Sequence, residues 1–267
     1  MQHFCKRVLT SVAAITALAL MSTAPATADT VIFENVNLVD GTGGMPRPSL
    51  TVIVEDGRFA TVTPNAAAPD AKGTRIDGTG KYLIPGLMDM HIHLKGGVEV
   101  TEKGLREAGS NRKEGVQALA SYLYSGVTSV YDSGNNPDFI LGLRADERAG
   151  DIMSPRIFAT GGIVTYPGSH GTGPGYTPVD DWPEAIPALD KHIATAPDVL
   201  KLTMEERGWG ARPMIPLLPV DMVQNITEYY NDHGIRVTVH TSSELRARQA
   251  IFAGVDNLSH PVIQGPI

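Results

Sequence analysis

The stretch IPGLMDMHIHL, residues 84–94, places Asp89, His91 and His93 at every second position directly after a Pro-Gly turn. Successive side chains of a β-strand point to opposite faces. The spacing therefore predicts that Asp89, His91 and His93 share one face, and that Met88, Met90, Ile92 and Leu94 share the other. Neutral imidazoles and carboxylates gathered on one face are donors for a divalent cation. The same alternation brings in three more candidates. Lys201 in DVLKLTME shares a face with Val199 and Thr203, His240 in RVTVHTS shares one with Thr238, and His260 in NLSHPV lies near a strand end. Singly, a strand-end histidine is commonly a hydrogen-bonded structural residue, and the HxH pair alone is only suggestive. Lys201 is more demanding, because an ammonium buried among apolar residues is costly without a special partner. His170, His192 and His233 fall in a loop or in helical stretches, and none of them is assigned to a metal.

These residues need elements to carry them. β-branched and apolar content between turn residues predicts strands at 86–93, 128–132, 156–161, 198–204, 236–241 and 257–261. Between them lie five segments with spaced apolar positions, from NRKEGVQALASYLYSG to SELRARQAIFAG, most of them ending at or near a Gly in the helix-stop position. Strict alternation of strand and helix predicts an α/β fold of the (β/α)-barrel kind, whose active sites sit at the C-terminal ends of the strands. A TIM barrel needs eight strands, and about six are readable here, so the expectation is an incomplete barrel. Upstream, residues 30–82 read as short strands with Asp-Gly at three turns, a partial β-sandwich. The expected organisation is a leader over 1–28, the partial sandwich over 29–83 and the barrel over 84–267.

The leader has its own signature. Lys6 and Arg7 precede the apolar run VLTSVAAITALALM, and ATA precedes Asp29, which predicts a signal peptide cleaved after Ala28 and a periplasmic or secreted protein. The run is shorter than the ~20 residues of a membrane span. Cys5, the only cysteine, lies in the leader, so the mature chain has no disulfide framework. With 267 residues, 42% hydrophobic and a formal charge of -7, the chain is globular in composition and gives no electrostatic reason to expect nucleic acid, which is gripped by a basic face. Small molecules are the expected partners, with self-association left open.

The Asp89-x-His91-x-His93 strand, followed by a strand-borne Lys201 and two later strand-end histidines, resembles the amidohydrolase superfamily, metal-dependent hydrolases built on a TIM barrel beside a small β-sandwich. VIFENVNLVDGTG, VEDGRFATV and IDGTGKYLIPG are similar to that family's sandwich strands, and SPRIFATGGIVTYPGSHG is similar to its branch of imidazolonepropionase-like enzymes and Xaa-Pro dipeptidases. The resemblance implies His91 and His93 as ligands of one ion, His240 and His260 as ligands of a second, and Lys201, carboxylated to a carbamate, as the bridge. It implies two divalent metals, zinc first, and hydrolysis of a C–N bond in an amide, dipeptide or cyclic amide by a metal-bridging hydroxide. The family's acid/base is an Asp on the eighth strand, for which this sequence has no counterpart. The catalytic proton carrier is therefore unassigned and the chain alone is expected to lack activity. Asp89 precedes His91 by two positions, about 6–7 Å deeper along the strand, and does not take that role.

Two Gly/Pro-rich loops, VTYPGSHGTGPGYTPVDDW and EERGWGARPMIPLLP, carry Tyr166, His170, Trp209 and Arg212 as candidate substrate contacts. Arg212 suits a substrate carboxylate, though a surface ion pair would look the same. Two alternatives stand beside the C–N hydrolase. The same metal centre could attack a lactone or phosphotriester, or the short form could be a non-catalytic metal-binding protein.

Overall fold

The structure, a computed structural model, describes residues 30–95, 98–101, 104–107, 111–173, 175–205 and 214–265. The expected leader and the candidates Trp209 and Arg212 lie outside them. The chain divides into two compact units, residues 1–85 and 86–267.

In the first unit, β1 (Thr30–Leu38), β2 (Arg47–Glu55), β3 (Arg58–Pro64) and β4 (Thr74–Asp77) form one sheet in the order β3-β2-β1-β4, and the short β5 (Tyr82–Leu83) also pairs with β1. β1–β2 and β2–β3 are antiparallel, and β1–β4 is parallel. The β2–β3 hairpin turns on Asp56 and Gly57, both with positive φ, 50° and 71°, the backbone that a two-residue hairpin loop demands. Val36, Leu38, Leu50 and Val52 form its buried cluster. The described residues of the unit form this one sheet and hold no second layer against it.

The second unit alternates strand and helix: β6 (Leu87–Ile92), α1 (Arg112–Tyr124), β9 (Val127–Asp132), α2 (Pro137–Ala149), β10 (Arg156–Ala159), α3 (Ile186–Ile193), β13 (Leu200–Thr203), α4 (Val220–Asp232), β14 (Val237–His240), α5 (Glu244–Phe252) and β15 (Asn257–Leu258). Three of the helices, α1, α2 and α5, begin at side-chain caps. Asn111 accepts from Lys113 N, Asn136 from Phe139 N with Pro137 following, and Ser243 from Arg246 N. Two parallel sheets run β6-β9-β10 and β11-β13-β14-β15, with β11 (Val164–Thr165) flanked also by β12 (Thr177–Pro178). Asp198 N donates to Ala159 O at 2.9 Å, which ties β10 to the approach of β13. The fold is α/β with parallel sheets. An antiparallel hairpin, β7 (Val98–Thr101) and β8 (Gly104–Glu107), interrupts the alternation where the sequence predicts no strand.

Outward-facing residues of the strands bury against the helices. Ile92, Val130 and Ile157 meet Leu119, Ile140 and Leu143 of α1 and α2. Leu200, Leu202, Val237 and Val239 meet the helices that follow, with Val223 and Ile226 of α4 among them. Each such side chain contributes roughly 1.5–3 kcal/mol on burial.

The opening strand departs from simple alternation. Asp89 pairs with Val130 and Ile92 with Asp132, so three steps on β6 oppose two on β9. This β-bulge turns Met90 and His91 to the same side. Met88 and Met90 therefore do not join Ile92 and Leu94 in the core. They are 67% and 64% exposed and line a cavity of about 620 Å³ together with Tyr131, Phe158, Val199 and Thr238. Asp89 does not share the histidines' face. It lies with Val130 on the helix side, accepts from His91 N at 3.2 Å, and its charge adds to the burial that pushes the Tyr122 hydroxyl up.

Candidate metal centre

The bulge leaves His91 and His93 on the inner side at the C-terminal end of β6. His91 Nδ1 lies 2.9 Å from Ser259 O, and His93 Nδ1 lies 2.7 Å from Gly134 O. A carbonyl only accepts, so each Nδ1 carries the proton and each Nε2 presents a lone pair. The two Nε2 atoms face each other at 3.3 Å. Two lone pairs at that distance repel unless a cation lies between them. Two nitrogens held by one tetrahedral zinc stand about 3.3 Å apart, given ~2.0–2.1 Å bonds. The pair fits a metal ion.

Gly134, whose carbonyl orients His93, has φ 139°, and a Cβ there would come within 2.6 Å of Ile163. Asp132 holds this corner. Its carboxylate, fully buried, accepts from Leu94 N, Gly134 N and Asn135 Nδ2 at 2.7, 3.1 and 2.9 Å. Burial pushes its pKa up against those hydrogen bonds.

His240 ends β14 and His260 follows β15; His260 Nε2 lies 2.6 Å from His240 Nδ1. The His91 and His260 rings stack at 5.6 Å, joining this second pair to the first. Burial, with neighbouring positive charge, depresses His240 to about 2, and burial likewise lowers His91 and His260. These imidazoles are neutral at pH 7, the state that ligates.

Lys201 is 2% exposed. Its Nζ donates to Ser133 Oγ and Ser259 Oγ, each at 2.7 Å, and forms no ion pair with a carboxylate among the described residues. Desolvation brings its pKa down to about 7, opposed by the charge of Asp132. An amine so placed is partly neutral and nucleophilic at physiological pH. Val199, Lys201 and Thr203 face inward together, as the alternation predicts. Donors thus gather as two histidine pairs around Lys201; among the described residues no three His, Cys, Asp or Glu side chains form a complete shell by themselves.

Of the loop candidates, His170 reaches the site. Its ring stacks on His240 at 4.0 Å and 8°, and its carbonyl accepts from Thr203 Oγ1 at 2.7 Å. Tyr166 packs instead against the helix-side core. His192 and His233 are structural, bonding Tyr230 and Thr160 O, and Tyr229 O, respectively. Sequence reading passes over Glu205, a carboxylate 2% exposed just beyond β13, with Oε2 3.8 Å from His240 Nε2. Its one sequence signal is its place two residues past Thr203, at the mouth of a buried strand.

Residues 82–264 match the amidohydrolase family. Over 160 residues the chain is 32% identical to the imidazolonepropionase of Mycolicibacterium smegmatis, covering 51% of this chain and 38% of that protein. Over 74 residues it is 42% identical to adenine deaminase 3 of Rhizobium meliloti, covering 27% and 12%. Among solved structures, a Xaa-Pro dipeptidase with methionine bound in its active site superposes with a TM-score of 0.72 at 21% identity, over 86% of this chain and 61% of that one. The chain thus spans less than two thirds of the length of each of these relatives. With a match covering more than half of its residues, the chain belongs to the amidohydrolase family.

Proposed function

We propose that the protein is an exported, metal-dependent hydrolase of carbon–nitrogen bonds, acting on an amide, a dipeptide or a cyclic amide. One observation carries this reading: two imidazole lone pairs, on His91 and His93, converge at 3.3 Å with both Nδ1 protons committed to carbonyls. The family supplies the reaction class, and the dipeptidase and imidazolonepropionase relatives suggest the substrates. We read the second unit as six strands of a TIM barrel, a reading supported by the chain-order runs β6-β9-β10 and β13-β14-β15 and by the His91 ring of the first strand reaching the backbone carbonyl of Ser259 just after the last.

In this reading His91 and His93 hold one divalent ion, and His240 and His260 hold the second after their 2.6 Å contact opens. The ions, zinc in the first instance, supply a lowered water pKa and polarisation of the scissile carbonyl. Lys201 adds carbon dioxide at its neutral Nζ: a C–N bond forms, one proton leaves the nitrogen, and the product carbamate is an anion with oxygen donors. Ser133 and Ser259 hold that nitrogen. His170, flat against His240, forms one wall of the substrate entrance. The leader over residues 1–28 carries the protein out of the cytoplasm, which an N-terminus at Asp29 in the mature protein would establish.

The experiment is metal analysis with a substrate panel. Purified protein reconstituted with zinc is expected to hold two equivalents, and a form extended to the length of its relatives, with the family's eighth-strand Asp supplied, is expected to hydrolyse members of a set of dipeptides and cyclic amides. Turnover confined to lactones or phosphotriesters would move the reaction class. Two equivalents of zinc with no turnover by the extended form on any of them would favour the non-catalytic form, and protein that takes up no metal would refute the centre.

A further inference from the structure

We propose that Glu205 is a positioning residue for the second ion, its carboxylate fixing the His240 ring so that Nδ1, and not Nε2, is the donor atom. The inference rests on the metal-dependent reading above and adds a residue to it.

The arrangement follows from the sheet. Thr203 is the register partner of His240 across β13 and β14, so two residues further on Glu205 stands beside Ser242. Met204 N donating to His240 O at 2.8 Å holds the two chain exits together. Ser242 then clamps the carboxylate: its backbone N donates to Glu205 Oε2 at 3.1 Å and its hydroxyl donates to the same oxygen. A carboxylate this buried requires such donors. With Oε2 held, it faces His240 Nε2 at 3.8 Å, while Nδ1 on the other side of the ring faces His260. Among the described residues Nε2 has no hydrogen-bond partner. His170 covers the ring face at 4.0 Å.

The ring has two nitrogens and only one can bind the ion. Once Nδ1 gives its lone pair to a cation, Nε2 must carry the proton, and a buried anion aimed at Nε2 favours that tautomer and strengthens the donor. Glu205 is not a ligand in this arrangement, since it reaches the ring on the side away from His260. His91 and His93 are oriented by neutral carbonyls instead. The two ions therefore differ in what supports them, and a change at Glu205 acts on one of them.

The test is zinc binding by the full chain under a graded chelator, read as equivalents retained, for the wild type, Glu205→Gln and Ser242→Ala. Glu205→Gln keeps the size and removes the charge. It is expected to weaken one of two equivalents about 10–100-fold and leave the other unchanged; Ser242→Ala, which loosens the clamp, is expected to weaken the same equivalent by less. In zinc-loaded wild type, ring-nitrogen NMR is expected to show His240 protonated at Nε2. Should Glu205→Gln fail to fold, as judged by circular dichroism, Ser242→Ala decides. Wild type with two equivalents and variants with both affinities unchanged, or His240 protonated at Nδ1, would overturn the role of Glu205 while leaving the metal centre standing. Wild type that binds no zinc would overturn both.

Discussion

His91 Nδ1 bonds the carbonyl of Ser259 at 2.9 Å, so the first long strand of the second unit is tied to the segment after its last through a candidate ligand. One imidazole thereby orients its own Nε2 and joins chain segments far apart in sequence. The hydroxyl of the same Ser259 receives Lys201 Nζ. In a form extended to the length of the relatives, His91→Asn is expected to lose about one metal equivalent and all turnover, because the amide is a poorer donor and cannot reproduce the paired Nε2 geometry. Elemental analysis and assay check this; unchanged metal and rate would remove β6 from the centre.

Lys201 offers a separate test. Exposure to isotopically labelled bicarbonate is expected to give a carbamate carbonyl signal by carbon NMR that is missing in Lys201→Ala. In the extended form Lys201→Ala is expected to lose turnover and to recover part of it with short carboxylic acids, which supply the missing oxygens. A metal-loaded crystal showing an unmodified Lys201 would contradict the bridge.

Asp132 organises the corner behind His93. Asp132→Ala leaves the buried N–H groups of Leu94 and Gly134 without their acceptor, at a cost of about 1–3 kcal/mol each. The thermal midpoint is expected to fall, and zinc affinity to fall at the His91–His93 ion, the reverse of the selectivity expected for Glu205. A drop in stability with no change in zinc binding would confine Asp132 to a packing role.

His192 predicts a pH dependence outside the metal centre. It is buried, with Nδ1 at 2.9 Å from Tyr230 Oη and Nε2 at 3.0 Å from Thr160 O, and burial lowers its pKa against the pull of the Thr160 and Gly162 backbone. Below the unfolded value of about 6.5 the unfolded chain binds more protons than the folded one, so stability rises with pH. The contribution is complete above that pH and is lost on acidification toward the lowered folded value. His192→Gln is expected to be less stable than wild type near pH ~7.5, with the gap narrowing toward pH ~5.5 in thermal melts. A gap independent of pH would show that the ring's charge state plays no part.

Much of this was legible in local chemistry. Asn111, Asn136 and Ser243 announce α1, α2 and α5 because each can satisfy the first free N–H groups of its helix. Val199, Lys201 and Thr203 on one side of β13, against Leu200 and Leu202 on the other, follow from a period of two that β13 keeps. The short strands β11 and β12 and the β7–β8 hairpin were not readable, since elements of two to four residues have too little sequence to show a period.

By itself the sequence determined which donors exist and which strands carry them, because residue type and alternation are local properties. Only the tertiary structure decided where they point. The bulge on β6 exists in its register with β9, and it moved Asp89 to the helix side and the two methionines inward. His170 reached His240 from a loop, and Glu205 reached it from the neighbouring strand exit. A register shift and a loop path depend on partners distant in the chain, so no window of sequence around these residues contains them.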